Sequence, residues 1–277
     1  MTDVAPSTPS PSDPDPGGRR AVHDVTHAVA ALRDQLGHLE QLVGSETASA
    51  GGGTPRPRPS LPGWLRPDAG EERWPVAAAV VLAILLQVAL PERLTIGPGW
   101  VLPALEGALV VGLTAANPRR IDRRSRALRG TSVALIALTS LANGWSSYTL
   151  IKEILNGQAG KNAGALLATG ASIYLTNILV FALWYWEWDR GGPVARALGE
   201  RTYPDLLFPQ MTQAHLAPED WRPTFVDYLY VSYTNATAFS PTDTMPLARW
   251  AKMMFLGQSA VALVTVALVV ARAVNIL

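Results

Sequence analysis

Apolar residues in this chain are gathered into five long blocks, which shorter polar segments separate. Each block is long enough to cross a hydrocarbon core of roughly 30 Å as a helix, which takes about 20 residues. The predicted spanning helices occupy residues 74–90, 99–117, 131–155, 163–188 and 248–275. The pattern therefore predicts an all-α fold, a polytopic membrane helix bundle of about five spans.

A shorter amphipathic stretch precedes the last block. Residues 224–239 are too few and too polar to span a bilayer alone, and a proline-containing turn follows them. A half-helix, a turn and a spanning helix in this order are typical of a re-entrant loop, whose backbone must be buried or line a water-filled cavity. The sequence therefore predicts a re-entrant segment over residues 224–246.

The N-terminal part of the chain has a different composition. Residues 1–20 are predicted to be disordered and residues 44–72 to be a flexible linker, because both are rich in Pro, Gly, Ser and Thr. Between them, residues 21–43 repeat apolar side chains at alternating steps of three and four. This spacing fits a self-associating coiled coil as well as an amphipathic helix that lies on the membrane or on another part of the chain.

Arginine positions predict the orientation in the membrane. Residues 117–130 hold six arginines and the single acid Asp122, and a short loop of this kind is retained in the cytoplasm. The arginines of the arm and the lack of an apolar signal-peptide core place the N-terminus on the same side. We expect a multi-pass protein of a bacterial plasma (inner) membrane with a cytoplasmic N-terminus. Trp184, Trp186 and Trp188, at one block end, are expected to anchor at the headgroup level.

Residue types argue against several classes of site. The chain has no cysteine, which excludes disulfides, thiolate metal sites and cysteine nucleophiles. His215 is the only histidine beyond the N-terminal arm, and the glycines at 51–53 lack the strand and the Lys-Ser of a phosphate loop. We therefore expect no catalytic residues, no metal, no cofactor and no nucleic-acid partner, and the chain is not predicted to be an enzyme.

Residues 230–246 carry a pattern of aromatic residues, threonines and a spaced Asp and Pro. Asp243 and Pro246 have the spacing of Gly-Tyr-Gly-Asp-x-x-Pro, and Thr237 stands where a threonine pair would begin. The segment resembles the pore loop of potassium channels. It departs from that pattern at 240–242, where Ser-Pro-Thr replaces the glycines that permit a filter backbone. The resemblance therefore implies a pore loop without potassium selectivity.

The pore-loop resemblance also implies a set of site residues and partners. The stretch 247–274 takes the place of the inner helix. The implied partners are the lipid bilayer, further copies of the chain in a homo-oligomer, and inorganic cations. The implied pore-lining candidates are Thr234, Asn235, Thr237, Ser240, Thr242 and Asp243.

Three motifs carry a second resemblance, which extends from residue 74 to the end of the chain. Residues 184–192 form an aromatic cluster followed by Arg-Gly-Gly, residues 227–232 read Asp-Tyr-Leu-Tyr-Val-Ser, and a Thr-Asp pair at 242–243 precedes the last block. In these motifs the chain is similar to a family of bacterial inner-membrane proteins known as a domain of unknown function. That family implies a membrane location and no particular activity.

Polar residues inside the blocks are the remaining candidates. Glu106 lies in the second block without a nearby basic residue, and a charge at the bilayer centre costs roughly 2.5–3.5 kcal/mol on insertion scales. It fits an ion or proton site as well as a carboxyl hydrated near the outer interface. Other polar residues recur at helical spacing and fit helix packing better than a polar path. They are Thr139, Ser140, Asn143, Ser146, Ser147, Ser172, Thr176 and Asn177.

Two functions therefore stay open on the sequence. The first is a channel-like integral membrane protein that conducts ions through a degenerate pore loop. The second is a non-conducting membrane scaffold or a small transporter, whose N-terminal coil at 21–43 recruits a partner.

Overall fold

The computed structural model describes residues 61–116, 120–121, 125–237 and 243–276, together with the isolated positions 35 and 37. The predicted disordered segment 1–20 and nearly all of the predicted coil at 21–43 lie outside the described residues. So do the first part of the predicted linker, to residue 60, and the pore-loop positions 238–242. The described part is mostly helical, which confirms the all-α prediction.

Five helices of the described part are long and three are short. The long helices are α1 (Trp74–Val88), α2 (Val101–Ala116), α3 (Arg126–Leu155), α4 (Ala163–Trp188) and α8 (Arg249–Ile276). The short helices are α5 (Pro193–Ala197), α6 (Pro209–Thr212) and α7 (Phe225–Thr237). Two antiparallel strand pairs accompany them: β1 (Glu71–Glu72) with β2 (Arg120–Ile121), and β3 (Leu206–Leu207) with β4 (Met245–Pro246).

Capping side chains explain where two of the long helices begin. The Asn162 side chain accepts a hydrogen bond of 3.0 Å from the backbone N–H of Ala165, which starts α4 at the predicted residue. The Ser125 side chain accepts one of 3.4 Å from Leu128, so α3 begins at Arg126 and not at residue 131. The arginine-rich segment thus contributes the first turn of a long helix.

Two of the described helices are long and apolar enough to cross a membrane. They are α4, counted with its terminal turn as Ala163–Gly191, and α8. Helices α1 and α2 are apolar but only 15 and 16 residues long, and α3 has 30 residues with many Ser, Thr and Asn among them. Length and composition therefore support two of the five predicted spans directly.

Successive long helices run in opposite directions between two ends of the bundle. At one end the start of α3 meets the end of α4, where Ser132 donates a hydrogen bond of 3.1 Å to Glu187. Helix α8 starts at the same place, since the rings of Trp188 and Trp250 lie 5.4 Å apart. Pairing of β1 with β2 brings the start of α1 and the end of α2 together. We call this the arginine end, because Arg129 forms an ion pair with Glu187 there.

Helix α7 is a half-length helix of 13 residues that packs against α4 and α8. It begins at the arginine end and runs antiparallel to α4, until the Ser232 hydroxyl donates a hydrogen bond of 2.6 Å to the carbonyl of Ile178 in the middle of α4. Strand β4 then pairs with β3, where Leu206 donates its backbone N–H to Asp189 at the end of α4. The chain therefore enters along α4 for half its length and is back at the arginine end before α8 begins.

Residues 61–72 differ from the predicted flexible linker. They carry a 3₁₀ turn at Gly63–Leu65 and strand β1, and they contact the arginine end. The Trp64 carbonyl accepts a hydrogen bond from Arg190, and Asp68 pairs with Arg222. Arg190 and Arg222 lie more than a hundred positions further along the chain, so the local composition of residues 61–72 gives no sign of these contacts.

The outer faces of the bundle carry large apolar side chains that no part of the described chain covers. The exposed fraction is 59% for Leu85 on α1, 68% for Val111 on α2, 68% for Leu141 on α3 and 67% for Val274 on α8. Apolar surface on this scale is rare on soluble monomers and marks contact with a membrane or a partner.

Gly170 sets how closely α4 and α8 approach. A Cβ atom at this position would lie 2.7 Å from Cγ1 of Val269. We predict that Gly170→Ala destabilises the fold by about 1–3 kcal/mol, because the stiff valine cannot move away without separating the helices. Unfolding by denaturant in detergent measures the effect. Gly144→Ala is the control, since its Cβ meets nothing within 4 Å and should stabilise α3 by about 0.5–1 kcal/mol. Equal effects of the two substitutions would contradict the prediction.

Candidate functional site

Ionisable side chains are buried together at the arginine end. We call Glu71, Glu187, Asp189, Arg190 and Arg196 the charged cluster. Asp189 and Arg190 have an exposed fraction of 0%, Glu187 of 3% and Arg196 of 7%. Charges are seldom buried to this extent unless they are paired and hydrogen-bonded.

Asp189 connects three elements through its two carboxylate oxygens. Oδ1 accepts hydrogen bonds from the backbone N–H groups of Asp205 and Leu206 at 3.1 and 3.2 Å. Oδ2 accepts one of 2.7 Å from the Tyr228 hydroxyl on α7. The end of α4, strand β3 and the start of α7 are therefore held at one carboxylate.

Arg190 follows in a left-handed conformation, with φ of 52°. Its guanidinium donates to the carbonyls of Arg201 and Trp64, the latter at 2.6 Å, and it stacks over the Trp64 ring at 5.0 Å. Such a backbone costs a non-glycine residue of order 1–3 kcal/mol, and these contacts offset it. Gly192 continues the turn with φ of 99°, where a Cβ would lie 2.8 Å from the carbonyl of Glu187. The Arg-Gly-Gly motif therefore encodes this tight turn.

Arg196 and Glu71 form the other half of the charged cluster. Arg196 donates from Nη1 to the carbonyls of Trp186 and Asp189, at 2.6 and 2.9 Å, and its Nη2 lies 3.7 Å from Oε2 of Glu71. Glu71 also accepts hydrogen bonds from Nε1 of Trp186 and from the backbone N–H of Phe225. Burial raises the pKa of Glu71 above its ordinary value, and the Arg196 charge opposes that rise.

The tryptophans at the end of α4 pack inside the protein to different degrees. Trp186 has an exposed fraction of 2% and donates to Glu71, so the expectation that it anchors at the headgroup level is wrong. Trp184 donates a hydrogen bond of 2.9 Å to Ser140. The aromatic cluster in the sequence therefore reflects packing of α4 against its neighbours.

A second polar network lies around Gln258 on α8, which is completely buried. Its Oε1 accepts hydrogen bonds from the Tyr185 hydroxyl on α4 at 2.7 Å and from Asn235 on α7 at 2.8 Å. Its Nε2 donates to the carbonyl and the hydroxyl of Ser232. This single amide joins α4, α7 and α8 halfway along the bundle. In the sequence, the signal for this network is a glutamine within the last apolar block.

The predicted pore-lining residues fall into four groups. Asn235 belongs to the Gln258 network, and Thr234 and Thr237 donate their hydroxyls to carbonyls of α7 itself. Asp243 is exposed beside β4. Ser240 and Thr242 lie outside the described residues. The structure thus brings Asn235 to a partly buried contact and leaves Asp243 at the surface.

Glu106 has an exposed fraction of 0%, so it is not a carboxyl hydrated at the bundle surface. Nε2 of Gln87 on α1 lies 3.2 Å from its Oε2, and Thr139 on α3 is in hydrogen-bonding reach. Buried polar residues continue from there towards the opposite end of the bundle. Oδ1 of Asn143 and Oδ1 of Asn177 have no hydrogen-bond partner in the described part of the chain.

Tyr228 provides a test of the charged cluster. We predict that Tyr228→Phe lowers the free energy of unfolding by about 1–3 kcal/mol, because it removes a donor from a buried carboxylate. Tyr230→Phe is the matched control on the same helix, since Tyr230 is 56% exposed and should lose almost nothing. Thermal or denaturant unfolding in detergent measures both variants. A Tyr228→Phe protein as stable as the control would mean that Asp189 does not depend on this bond.

The described residues contain no group of three or more His, Cys, Asp or Glu side chains arranged to hold a metal ion. Comparison of the chain with protein-family models, with curated proteins and with solved structures found no match. The charged cluster and the Gln258 network therefore have to be interpreted from their own chemistry.

Proposed function

We propose that the chain is a multi-pass membrane protein of five spanning helices that acts as a channel-like protein. In this proposal a re-entrant segment from each copy of a homo-oligomer borders an ion path for inorganic cations. The observation that carries the proposal is the course of α7, which runs along α4 for half its length before the chain returns to the arginine end.

The distribution of polar residues supports five spans. Helix α3 is less apolar than α4, but its polar residues Thr139, Asn143 and Ser147 are buried while Leu141 is exposed. A helix with this distribution suits a bundle in lipid, where polar side chains face other helices. Helices α1 and α2 are each about 23 Å long at 1.5 Å per residue, and local thinning of the bilayer accommodates such short spans.

The contacts of α7 support its place at membrane depth. Irregular backbone is tolerated there only where protein or water satisfies its polar groups. The Gln258 amide donates to the carbonyl of Ser232 at 2.9 Å, and Ser259 donates to the carbonyl of Asn235 at 3.0 Å. Ser259 therefore satisfies a carbonyl in the last turn of α7, where the half-helix ends, and Gln258 adds a hydrogen bond to the turn before it.

The return of the chain is geometrically possible within a re-entrant loop. Helix α7 is about 20 Å long, at 13 residues of 1.5 Å each. From Thr237 to Met245 an extended chain reaches about 27 Å at roughly 3.4 Å per residue. The chain between Thr237 and Met245 is therefore long enough to connect the tip of α7 with β4.

The outward face of α7 supports the homo-oligomer. Val226, Tyr230 and Tyr233 have exposed fractions of 61, 56 and 53% in the single chain. Tyrosine hydroxyls are poorly placed against hydrocarbon tails, whereas a neighbouring copy or a water-filled path accommodates them. Helices α4, α7 and α8 then correspond in order to the outer, pore and inner helices of a channel subunit.

The arginines orient this assembly. Arg126 and Arg129 at the arginine end favour the cytoplasmic side. The re-entrant segment would then enter from the cytoplasm, as in ionotropic glutamate receptors and opposite to potassium channels. The scaffold or small-transporter alternative stays a prediction, because all but two positions of its coil at 21–43 lie outside the described residues.

Ion flux tests the channel-like function. We predict that protein reconstituted into liposomes conducts monovalent cations and that Asp243→Asn lowers the flux about fivefold, because an attraction of about 1 kcal/mol at the entrance is lost. Fluorescent flux assays and planar-bilayer recordings measure this. Asp220→Asn removes an exposed carboxylate from the preceding loop and should leave the flux unchanged. Flux equal to that of empty liposomes would refute conduction, and equal loss in both variants would remove Asp243 from the path.

Cysteine labelling tests the topology, because the chain contains no cysteine of its own. Asp220→Cys lies in the loop at the arginine end, and Gly160→Cys lies between α3 and α4 at the opposite end, where added atoms meet nothing within 4 Å. We predict that a membrane-impermeant maleimide labels Gly160→Cys in intact cells and Asp220→Cys only after permeabilisation. Labelling of both from the same side would contradict a crossing of the membrane by α4.

A further inference from the structure

A cavity of about 320 Å³ lies at the arginine end, bounded by α1, α2, α3 and α4. It is separate from α7 and from the pore-loop residues. Cavities that hold small organic ligands measure roughly 300–1,000 Å³, and this volume is at the lower end of that range.

The wall of this cavity is apolar where it lies within the bundle. Val80 on α1, Leu113 on α2, Leu135 on α3 and Leu183 on α4 line it, and each is less than a tenth exposed. A fully polar ligand would lie against these apolar side chains without gaining a favourable interaction from them. The inner part of the cavity therefore suits a hydrocarbon chain.

The rim of the same cavity is basic. Four arginines line it, against the two carboxylates of Glu187 and Glu200. Glu187 is already paired, since Arg129 lies 3.4 Å from its Oε1 and Ser132 donates to its Oε2. The rim therefore has a surplus of positive charge, and guanidinium groups bind phosphate oxygens in bidentate geometry. The four arginines are Arg73, Arg126, Arg129 and Arg201.

We propose that this cavity binds an anionic amphiphile, a phosphate group that carries a hydrocarbon chain, supplied as an anionic phospholipid of the leaflet next to the arginine end. The phosphate would lie at the arginine rim and the upper part of one chain along Val80, Leu113 and Leu183. A neutral lipid would leave the formal surplus of two positive charges at the rim, four arginines against two glutamates, without a counter-charge, and free phosphate would leave the apolar wall empty. The site stands independently of ion conduction.

Lipid binding by the full-length protein in a non-ionic detergent tests the proposal. The probes are phosphatidylglycerol, phosphatidylcholine with the same acyl chains, and sodium phosphate, and native mass spectrometry counts the lipids that stay bound. We expect phosphatidylglycerol to bind at least tenfold more tightly than phosphatidylcholine, and millimolar sodium phosphate not to displace it. Equal binding of the two lipids, or displacement by free phosphate, would overturn the proposal.

Charge variants locate the lipid. The double substitution Arg126→Gln with Arg201→Gln should weaken phosphatidylglycerol binding about 25-fold, from roughly fivefold for each arginine, and leave phosphatidylcholine binding unchanged. Both side chains are exposed, and the Arg201 carbonyl that holds Arg190 is retained. Arg93→Gln is the matched control at the opposite end, where Arg93 is paired with Glu153. Equal loss in the control and the double variant would assign the effect to net charge and overturn the site.

A filling variant tests the apolar part of the cavity. Ala77 lines the wall near the rim and is half-buried. Ala77→Phe should reduce the number of phosphatidylglycerol molecules retained by one per chain, whereas Ala78→Phe on the exposed side of α1 should not. A melting temperature within the range of the wild-type chain identifies variants that fold. Full retention of the lipid in a folded Ala77→Phe protein would place the lipid elsewhere.

Discussion

Burial of the Asp189 carboxylate is the constraint on which the arginine end of this protein depends. An ionised carboxylate without partners is far too costly to bury, so every surrounding element has to supply a donor or a positive charge. Strand β3 supplies two backbone N–H groups, α7 supplies the Tyr228 hydroxyl, and the Arg196 guanidinium lies against the carbonyl of the same residue. The need to satisfy one side chain thus fixes where α7 begins and where the chain returns to start α8.

The same requirement acts halfway along the bundle, through amides and hydroxyls in place of charges. Gln258 can accept and donate at once, and it uses both capacities to hold Tyr185, Asn235 and Ser232. A half-helix that ends among apolar helices leaves its last carbonyls without intrahelical partners. Ser259, the neighbour of Gln258 on α8, compensates for part of that loss by donating to the carbonyl of Asn235 at 3.0 Å, while Gln258 holds the turn before it. Asn235, taken from the pore-loop resemblance as a pore-lining residue, is therefore occupied in this contact.

The sequence predicted best what depends on neighbouring residues. The bounds of α4 at 163–188 follow from the Asn162 cap and an uninterrupted apolar block, both of which are local. The sequence predicted worst the features that depend on residues far away along the chain. Residues 61–72 have a linker composition, but Trp64 and Glu71 pair with Arg190 and Trp186. Trp186 sits at a block end as an interfacial anchor would, and only its hydrogen bond to Glu71 distinguishes a buried role. Of the predicted site residues, Glu106 proved to be buried beside Gln87, a pairing that sequence spacing could not reveal.

Helix α4 lies between the arginine-rimmed cavity and α7. Its Leu183 and Glu187 line the arginine-rimmed cavity, whereas Ile178 and Tyr185 contact the Gln258 network and α7. Substitutions on different faces of one helix have nearly additive effects on stability when the residues are far apart and share no partner. Trp186 is the exception, because it lines the cavity, packs against Phe225 and donates to Glu71. A lipid in the cavity would influence α7 through this indole and the charged cluster, since Glu71 holds the first residue of α7.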